Sequence, residues 1–328
     1  MDDPRPSLEP SSPARQPAPA PASVPERGAD TPGRRAVRRF GRNRAAAASA
    51  VVLALLLLGV AIGPWLSPYA PDAISTDQFS PPDGRHWFGT DVHGRDLLAR
   101  VLYGTRISLV VGAVGAGVSL VIGVLWGATA GYVGGRWDHI MMRVVDVLYS
   151  LPSIVFVIVL ITTLEQYFGQ WIARWLSPAS GGTVRMLLLF AGLGAVSWLT
   201  MARIVRGQVM SLRTRSFVEA SRALGAGHVS ILRRHILPNI SGVVIVYVML
   251  TVPSVVLSES FLSYLGLGIQ PPQASLGSLI ADGATQINPF RTYWWLIVCP
   301  AGVLVATLLA LNFVGDGLRD ALDPRSEE

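Results

Sequence analysis

Lysine is missing from this chain, whose 27 basic residues are all arginine. A phosphate-binding loop of the GxxxxGK[ST] type is therefore excluded, because that loop reaches the nucleotide phosphates through its lysine. If ATP drives this protein, another chain must bind it. Cysteine is almost as scarce. Cys299 stands alone within an apolar segment, which rules out an intrachain disulfide or a cysteine zinc cluster and reads as a small packed hydrophobe. With five histidines, no HExxH helix and no GxSxG elbow, the sequence shows no catalytic site. Charged residues make up 15% of the chain against 51% hydrophobic, and the mean hydropathy is +0.45, far too apolar for an ordinary soluble domain. The fold class expected is an all-α membrane protein that crosses the bilayer several times. Its apolar runs are nearly free of carboxylates, so the intramembrane relay used by proton-coupled transporters is missing. The net charge of +6 lies in the tail and loops and does not indicate nucleic-acid binding.

Residues 1 to 33 carry nine prolines among Ala, Ser and mixed charges, with too few large apolar side chains to offset the entropy of folding, and are read as a disordered cytoplasmic tail. Six arginines between Arg34 and Arg44 precede an apolar run over residues 45 to 66. That run is long enough to cross a bilayer and lies too far into the chain to be a cleaved signal peptide. Residues 34 to 66 are thus a basic lead-in and a first transmembrane helix with its N-terminus inside. Residues 67 to 106 form an extracytoplasmic loop. Further crossings are expected over residues 107 to 133, 144 to 164, 186 to 202, 240 to 257 and 294 to 314, within a core of residues 107 to 325. Six crossings return the C-terminus to the cytoplasm. The segment 203 to 239 carries seven arginines, whereas the outer loop after the fifth crossing carries only Arg291, which is the positive-inside bias. Four arginines in the loop 67 to 106 are accompanied by five aspartates.

Along the second crossing Gly115, Ser119, Gly123, Gly127 and Gly131 recur every fourth residue. Such a ridge lets another helix backbone approach closely, either a neighbouring span or a partner chain.

The segment 203 to 239 is a polar island between two apolar runs. Phe217, Ala220 and Leu224 fall at helical spacing before the Gly225-Ala226-Gly227 break, and Val229, Leu232 and Ile236 do so after it, which points to two short amphipathic helices. Pro238 is expected to end the second of them, and Gly225 to take a positive φ. Glu219 falls in the first turns of the leading helix, where a carboxylate is favoured.

The island resembles the cytoplasmic coupling loop of ABC importer permeases, whose pattern is Glu-Ala-Ala, three residues, Gly, nine residues, Ile, one residue, Leu-Pro. Glu219, Ala220, Gly225, Leu237 and Pro238 match; Ser221 replaces the third small residue and His235 the isoleucine. Other segments resemble the dipeptide, oligopeptide and nickel branch of those permeases: Gly89-Thr90-Asp91 and Gly94-Arg95-Asp96, then Ala202-Arg203 to Gln208, Leu262-Ser263-Tyr264-Leu265-Gly266-Leu267-Gly268, and the closing Gly315-Asp316-Gly317 to Arg325. The arginine-rich lead-in fits the C-type member of the permease pair. Resemblance covers roughly residues 34 to 325.

This resemblance implies a six-helix type I importer permease in a bacterial inner membrane, both termini cytoplasmic, forming half of a pathway for dipeptides or oligopeptides. It also implies four kinds of partner: a second, non-identical permease, two cytoplasmic ATPases, an extracytoplasmic solute-binding protein and the membrane lipid. ATP and magnesium would belong to the ATPases, with no cofactor, metal or nucleic acid in this chain. Phe217, Glu219, Ala220, Ser221, Leu224, Gly225, Leu237 and Pro238 would contact the ATPase, and Gly123, Gly127 and Gly131 would pack helices. Nickel, glutathione or another small solute is the alternative cargo. A secondary transporter would need coupling-ion residues in its spans, and a membrane enzyme a convergent polar site.

Several polar residues could serve function or structure. His86, Asp91, His93 and Asp96 have the side chains of a metal site, but no i, i+4 histidine pair is present, and pairing with nearby arginines and backbone is the plainer reading. Asp146 stands three residues after Arg143, suited to local pairing, and Glu259 ends the fifth crossing; both are read as structural groups near an interface. Pro152 and Pro253 are positions for a kink, and residues 266 to 272 for a re-entrant segment.

Overall fold

A computed structural model describes residues 32 to 175, 181 to 271 and 273 to 322. Nearly all of the tail expected over residues 1 to 33 lies outside the described residues, as do residues 323 to 325 of the closing motif. The architecture is all helical; among the described residues the only strand-like pairing is an isolated bridge between Thr90 and Asp96.

The arginine-rich lead-in forms a short helix, α1 (Pro32–Arg42), and the side chain of Asn43 then accepts from the Ala46 backbone N–H to open α2 (Arg44–Leu66). The loop that follows ends earlier than expected. Asp96 caps the next helix by accepting from Ala99 N–H at 2.8 Å, so α3 runs Leu97–Val133 and places Arg100 and Arg106 on a helix. The expected loop boundary at residue 106 is therefore corrected to Asp96: a capping aspartate outweighs the polar residues after it.

The third expected crossing, 144 to 164, is not one helix. α4 (Gly135–Ser150) and α5 (Ser153–Trp175) are bent by 94° at Leu151-Pro152. Proline cannot donate to the preceding turn and disfavours helical backbone at the residue before it, and Leu151 is extended (φ −80°, ψ 139°). α6 (Gly181–Leu212) carries the fourth expected crossing and continues well past residue 202. The connector expected over residues 203 to 239 therefore shrinks to α7 (Ser216–Ala223), α8 (His228–Ile231) and a π-helical turn Leu232–Ile236.

Pro238 does not end a helix. α9 (Leu237–Tyr264) follows the π turn directly, and His228–Tyr264 forms one helical span. Leu237 N–H reaches back to Leu232 O, and this wider turn takes up the proline at the start of α9, where a missing N–H costs little. Pro253 sits buried inside α9 without breaking it. Beyond a non-helical stretch with Gly266 at φ +75°, Ser275 and Ser278 form a capping box that opens α10 (Leu276–Ala284), and α11 (Trp295–Leu322) is the last helix of the described residues.

Among the described residues four helices are long and apolar enough to cross a membrane, or five if the bent pair counts as one crossing. The expected count of six is thus not reproduced by length and composition alone. Core packing centres on α3, whose principal neighbours are α6 and α9.

Candidate coupling site

The glycine ridge brings α3 onto α6. A Cβ on Gly123 would stand 2.6 Å from Met201 Cβ and 3.0 Å from Trp198 O; one on Gly127 would collide with Ala202 O; one on Gly131 would stand 2.7 Å from Arg206 O. One turn before Gly123, Ser119 Oγ donates to Ser197 O at 2.9 Å. Gly115, higher on the ridge, faces Val255 of α9. The partner of the ridge is therefore this chain's own helices, a neighbouring span rather than another chain.

This contact fixes the end of α6, from which the candidate coupling loop hangs. Arg213 Nη1 donates to Gly131 O at 3.2 Å, and Tyr132 Oη lies 3.0 Å from His228 Nδ1. Val218, Ile231 and Ile236 are fully buried with Val205, Val209 and Ile240. Val218 and Ile231 were not singled out from the sequence; the signal available was their offset from the Phe217, Ala220 and Leu224 series. That series points the other way. Leu224 is 88% exposed, and Phe217, Glu219 and Ala220 are also exposed; the second expected series does not keep to one face, Val229 being 78% exposed while Ile236 is fully buried. The loop thus grips its own helices with one face and presents an apolar face outward.

Gly225 makes the reversal between the two short helices. Its φ is +82°, Ala226 N–H donates to Ser221 O at 3.1 Å, and Gly225 N–H donates to Arg222 O at 3.0 Å. These two bonds constitute a Schellman motif with glycine at the left-handed position. The two departures from the family pattern meet in space, Ser221 Oγ lying 3.5 Å from His235 Nε2 while also donating to Phe217 O. Leu237 is half-buried against the same cluster, and Pro238 is exposed.

On this side α4 is clamped to α6. Arg206 binds Asp138 through Nε–Oδ1 at 2.5 Å and Nη2–Oδ2 at 2.7 Å, and Arg203 Nη2 binds Asp146 Oδ1 at 2.7 Å. The pairing expected for Asp146 with Arg143 is replaced, because the break at Pro152 turns Asp146 toward α6.

At the opposite end the loop before α3 is tied to α3 and α10. Asp91 accepts from Arg95 Nε at 2.7 Å and Arg100 Nη1 at 2.6 Å, and Arg100 Nη2 reaches Asp282 at 3.3 Å. Burial pushes the Asp91 carboxyl up, but the Arg95 backbone N–H and the Arg100 guanidinium more than offset it and hold it below the usual carboxylate range. His86 Nδ1 lies 2.8 Å from Asp96 Oδ2. His86, Asp91 and Asp96 are therefore engaged with neighbours, while His93 is exposed beside a recess of about 300 Å³ that Arg95, Arg100 and Asp282 also line.

Glu259 is fully buried where α3, α9 and α10 meet. Its carboxylate accepts from Ser108 Oγ at 2.8 Å and Ser263 Oγ at 2.7 Å, while Ser263 Oγ accepts from Ile269 N–H at 3.1 Å. One side chain thus holds the second crossing and the non-helical stretch after α9. Each donor left unsatisfied costs about 1–3 kcal/mol. Glu259→Ala is expected to lower the unfolding temperature of the detergent-solubilised protein clearly, with Glu259→Gln intermediate; equal midpoints for all three would remove Glu259 from this role.

Residues 123 to 328 match the family described as binding-protein-dependent transport system inner membrane component. The chain belongs to this family. A second match, over residues 31 to 82, is to the N-terminal TM domain of oligopeptide transport permease C. The permease is 50% identical over 293 residues to the oligopeptide transport system permease protein OppC of Escherichia coli (strain K12), covering 88% of this chain and 89% of that protein. It is 45% identical over 293 residues to OppC of Haemophilus influenzae, covering 88% of each. The dipeptide transport system permease protein DppC of Bacillus subtilis (strain 168) is 44% identical over 289 residues, covering 88% of this chain and 84% of that protein. In fold, the permease is similar to a chain of the inward-facing MetNI methionine ABC transporter, with a TM-score of 0.52 at 20% identity over 69% of this chain and 98% of that one. The chain is a multi-pass, inner-membrane permease of an ABC importer, with the type I permease fold.

Proposed function

We propose that this permease carries dipeptides or oligopeptides across the inner membrane, forming half of the pathway beside a second, non-identical permease. The observation that carries this reading is the 40–50% identity, over 88% of the chain, to permeases named for oligopeptide or dipeptide transport. Two cytoplasmic ATPases, which hold ATP and magnesium, dock on the exposed face of α7, and an extracytoplasmic binding protein delivers substrate to the outer loop. The chain itself has no enzymatic role. Both termini lie in the cytoplasm, as the arginine bias favours.

Uptake proceeds by alternating access. ATP binds the closed ATPase pair better than the open one, so closure moves the coupling loop and the attached helices with it. A loop that transmits such a shift must be stiff; the Schellman turn and the buried Val218, Ile231 and Ile236 supply that stiffness.

Cells lacking this chain are expected to lose uptake of labelled di- and tripeptides and to regain it when the chain is restored. Competition by unlabelled peptides but not by nickel or glutathione is the expected pattern. Restoration of nickel uptake without peptide uptake would reassign the cargo.

A further inference from the structure

Three faces divide α4. The first is its anchor: Asp138, Met142 and Val145 are buried, with Asp138 held by Arg206 and the neighbouring Asp146 by Arg203. The second is a stripe of exposed apolar side chains, with Trp137 66%, Ile140 59% and Val147 57% accessible, together with Val144. At helical spacing these residues occupy an arc of about 80°. The third holds Arg136, His139 and Arg143, all exposed, about a quarter turn from the stripe. Among the described residues Arg136 and Arg143 form no ion pair, since Asp138 and Asp146, the carboxylates of α4, are taken by α6.

The bend decides how these faces sit. α5 leaves α4 at 94°, so the two helices cannot both run along the membrane normal. We propose that α4 is a surface helix of the cytoplasmic leaflet, its stripe among the outermost acyl carbons and Arg136 and Arg143 bound to the phosphates of anionic phospholipids. An in-plane helix needs an apolar face below, a cationic face at headgroup level and, in a folded protein, a third face to hold it; α4 has all three. Trp137 suits the boundary between headgroups and acyl chains, and guanidinium groups bind phosphate oxygens in pairs. A sheet of negative headgroups above hydrocarbon satisfies the stripe and the unpaired arginines together. Because Arg203 and Arg206 bridge α4 to the helix that carries α7, lipid held by α4 grips the coupling end of the permease. The leaflet assignment rests on the cytoplasmic orientation proposed above; the in-plane geometry rests instead on α5 being the half of the bent pair that crosses.

The test uses the assembled complex in nanodiscs of phosphatidylcholine and phosphatidylglycerol. Single cysteines are placed by Ile140→Cys, Arg143→Cys, Val144→Cys and Val147→Cys in a Cys299→Ser background and carry nitroxide labels. Labels at 140, 144 and 147 are expected to favour collision with oxygen over an aqueous nickel chelate, at a depth of about 5–10 Å, with the label at 143 showing the reverse preference. Labels on the stripe shielded from both reagents would mean that protein covers it, and labels open to the chelate that α4 stands off the membrane; either result overturns the proposal. In a second arm, Arg136→Gln with Arg143→Gln should weaken phosphatidylglycerol retention, read by native mass spectrometry, about thirtyfold, or roughly 1 kcal/mol per arginine. Unchanged retention would overturn the headgroup contact. An impermeant thiol reagent reaching Arg143→Cys from the outer side would overturn the leaflet assignment, and with it the orientation.

Discussion

Gly225→Val is expected to abolish peptide uptake while leaving the permease inserted and assembled. A Cβ at this position would meet nothing within 4 Å, so the damage does not come from crowding. It comes from φ +82°, where a branched residue costs about 1–3 kcal/mol. Giving up that conformation breaks the bonds from Gly225 to Arg222 and Ala226 to Ser221 and turns α7 away from α8. Buried Val218 and Ile231 hold the two ends, so the global fold survives while the outward face is misaimed. ATP hydrolysis should lose its stimulation by substrate, or the ATPases should dissociate. Glu219→Lys attacks the same face differently, placing a cation in the first turn of α7, where the helix dipole and any partner arginine favour an anion. Normal uptake with normal stimulated hydrolysis in both variants would show that this segment does not couple.

Gly127→Leu should have the other large effect, and it acts through folding. The contact lies within the chain: a Cβ on Gly127 already collides with Ala202 O and would stand 3.0 Å from Arg206 N. Backbone cannot move aside as a side chain does, so α3 and α6 must separate. Lipid cannot repay the lost packing, being as apolar as leucine, and Arg206 would be drawn from Asp138. Recovery of folded permease in mild detergent is expected to fall severalfold, with uptake lost. Size-exclusion chromatography of the solubilised protein reads this directly; an unchanged monodisperse peak with normal uptake would mean that the ridge tolerates separation.

Patterns that one helix carries by itself were legible in the sequence. The ridge recurs every fourth residue, so Gly115 through Gly131 announced a close contact, though not that α6 would be the partner. Phe217, Ala220 and Leu224, which fall at helical spacing, are all exposed. What depends on a second element was hidden. Asp146 has Arg143 nearby in sequence and Arg203 nearby in space. Composition carried residues 144 to 164 as one crossing, because an apolar stripe looks the same whether it crosses a bilayer or lies on it. The 94° bend at Pro152 shows only that the segment is not one straight helix. Pro238 misled for the opposite reason: its missing N–H suggested a stop, while the preceding π turn lets the helix pass.

The account turns on the exposed face of α7 being the surface that the ATPase holds. Leu224 is the most direct probe, being 88% exposed at the tip of the loop. With Leu224→Cys in a Cys299→Ser background, a short bifunctional thiol cross-linker applied to the complex in inverted membrane vesicles should join this chain to the ATPase subunit, with a yield that changes when ATP is added. A cysteine at 224 that stays freely labelled by a small thiol reagent whether or not the ATPases are bound, and yields no cross-link to them, would contradict the account.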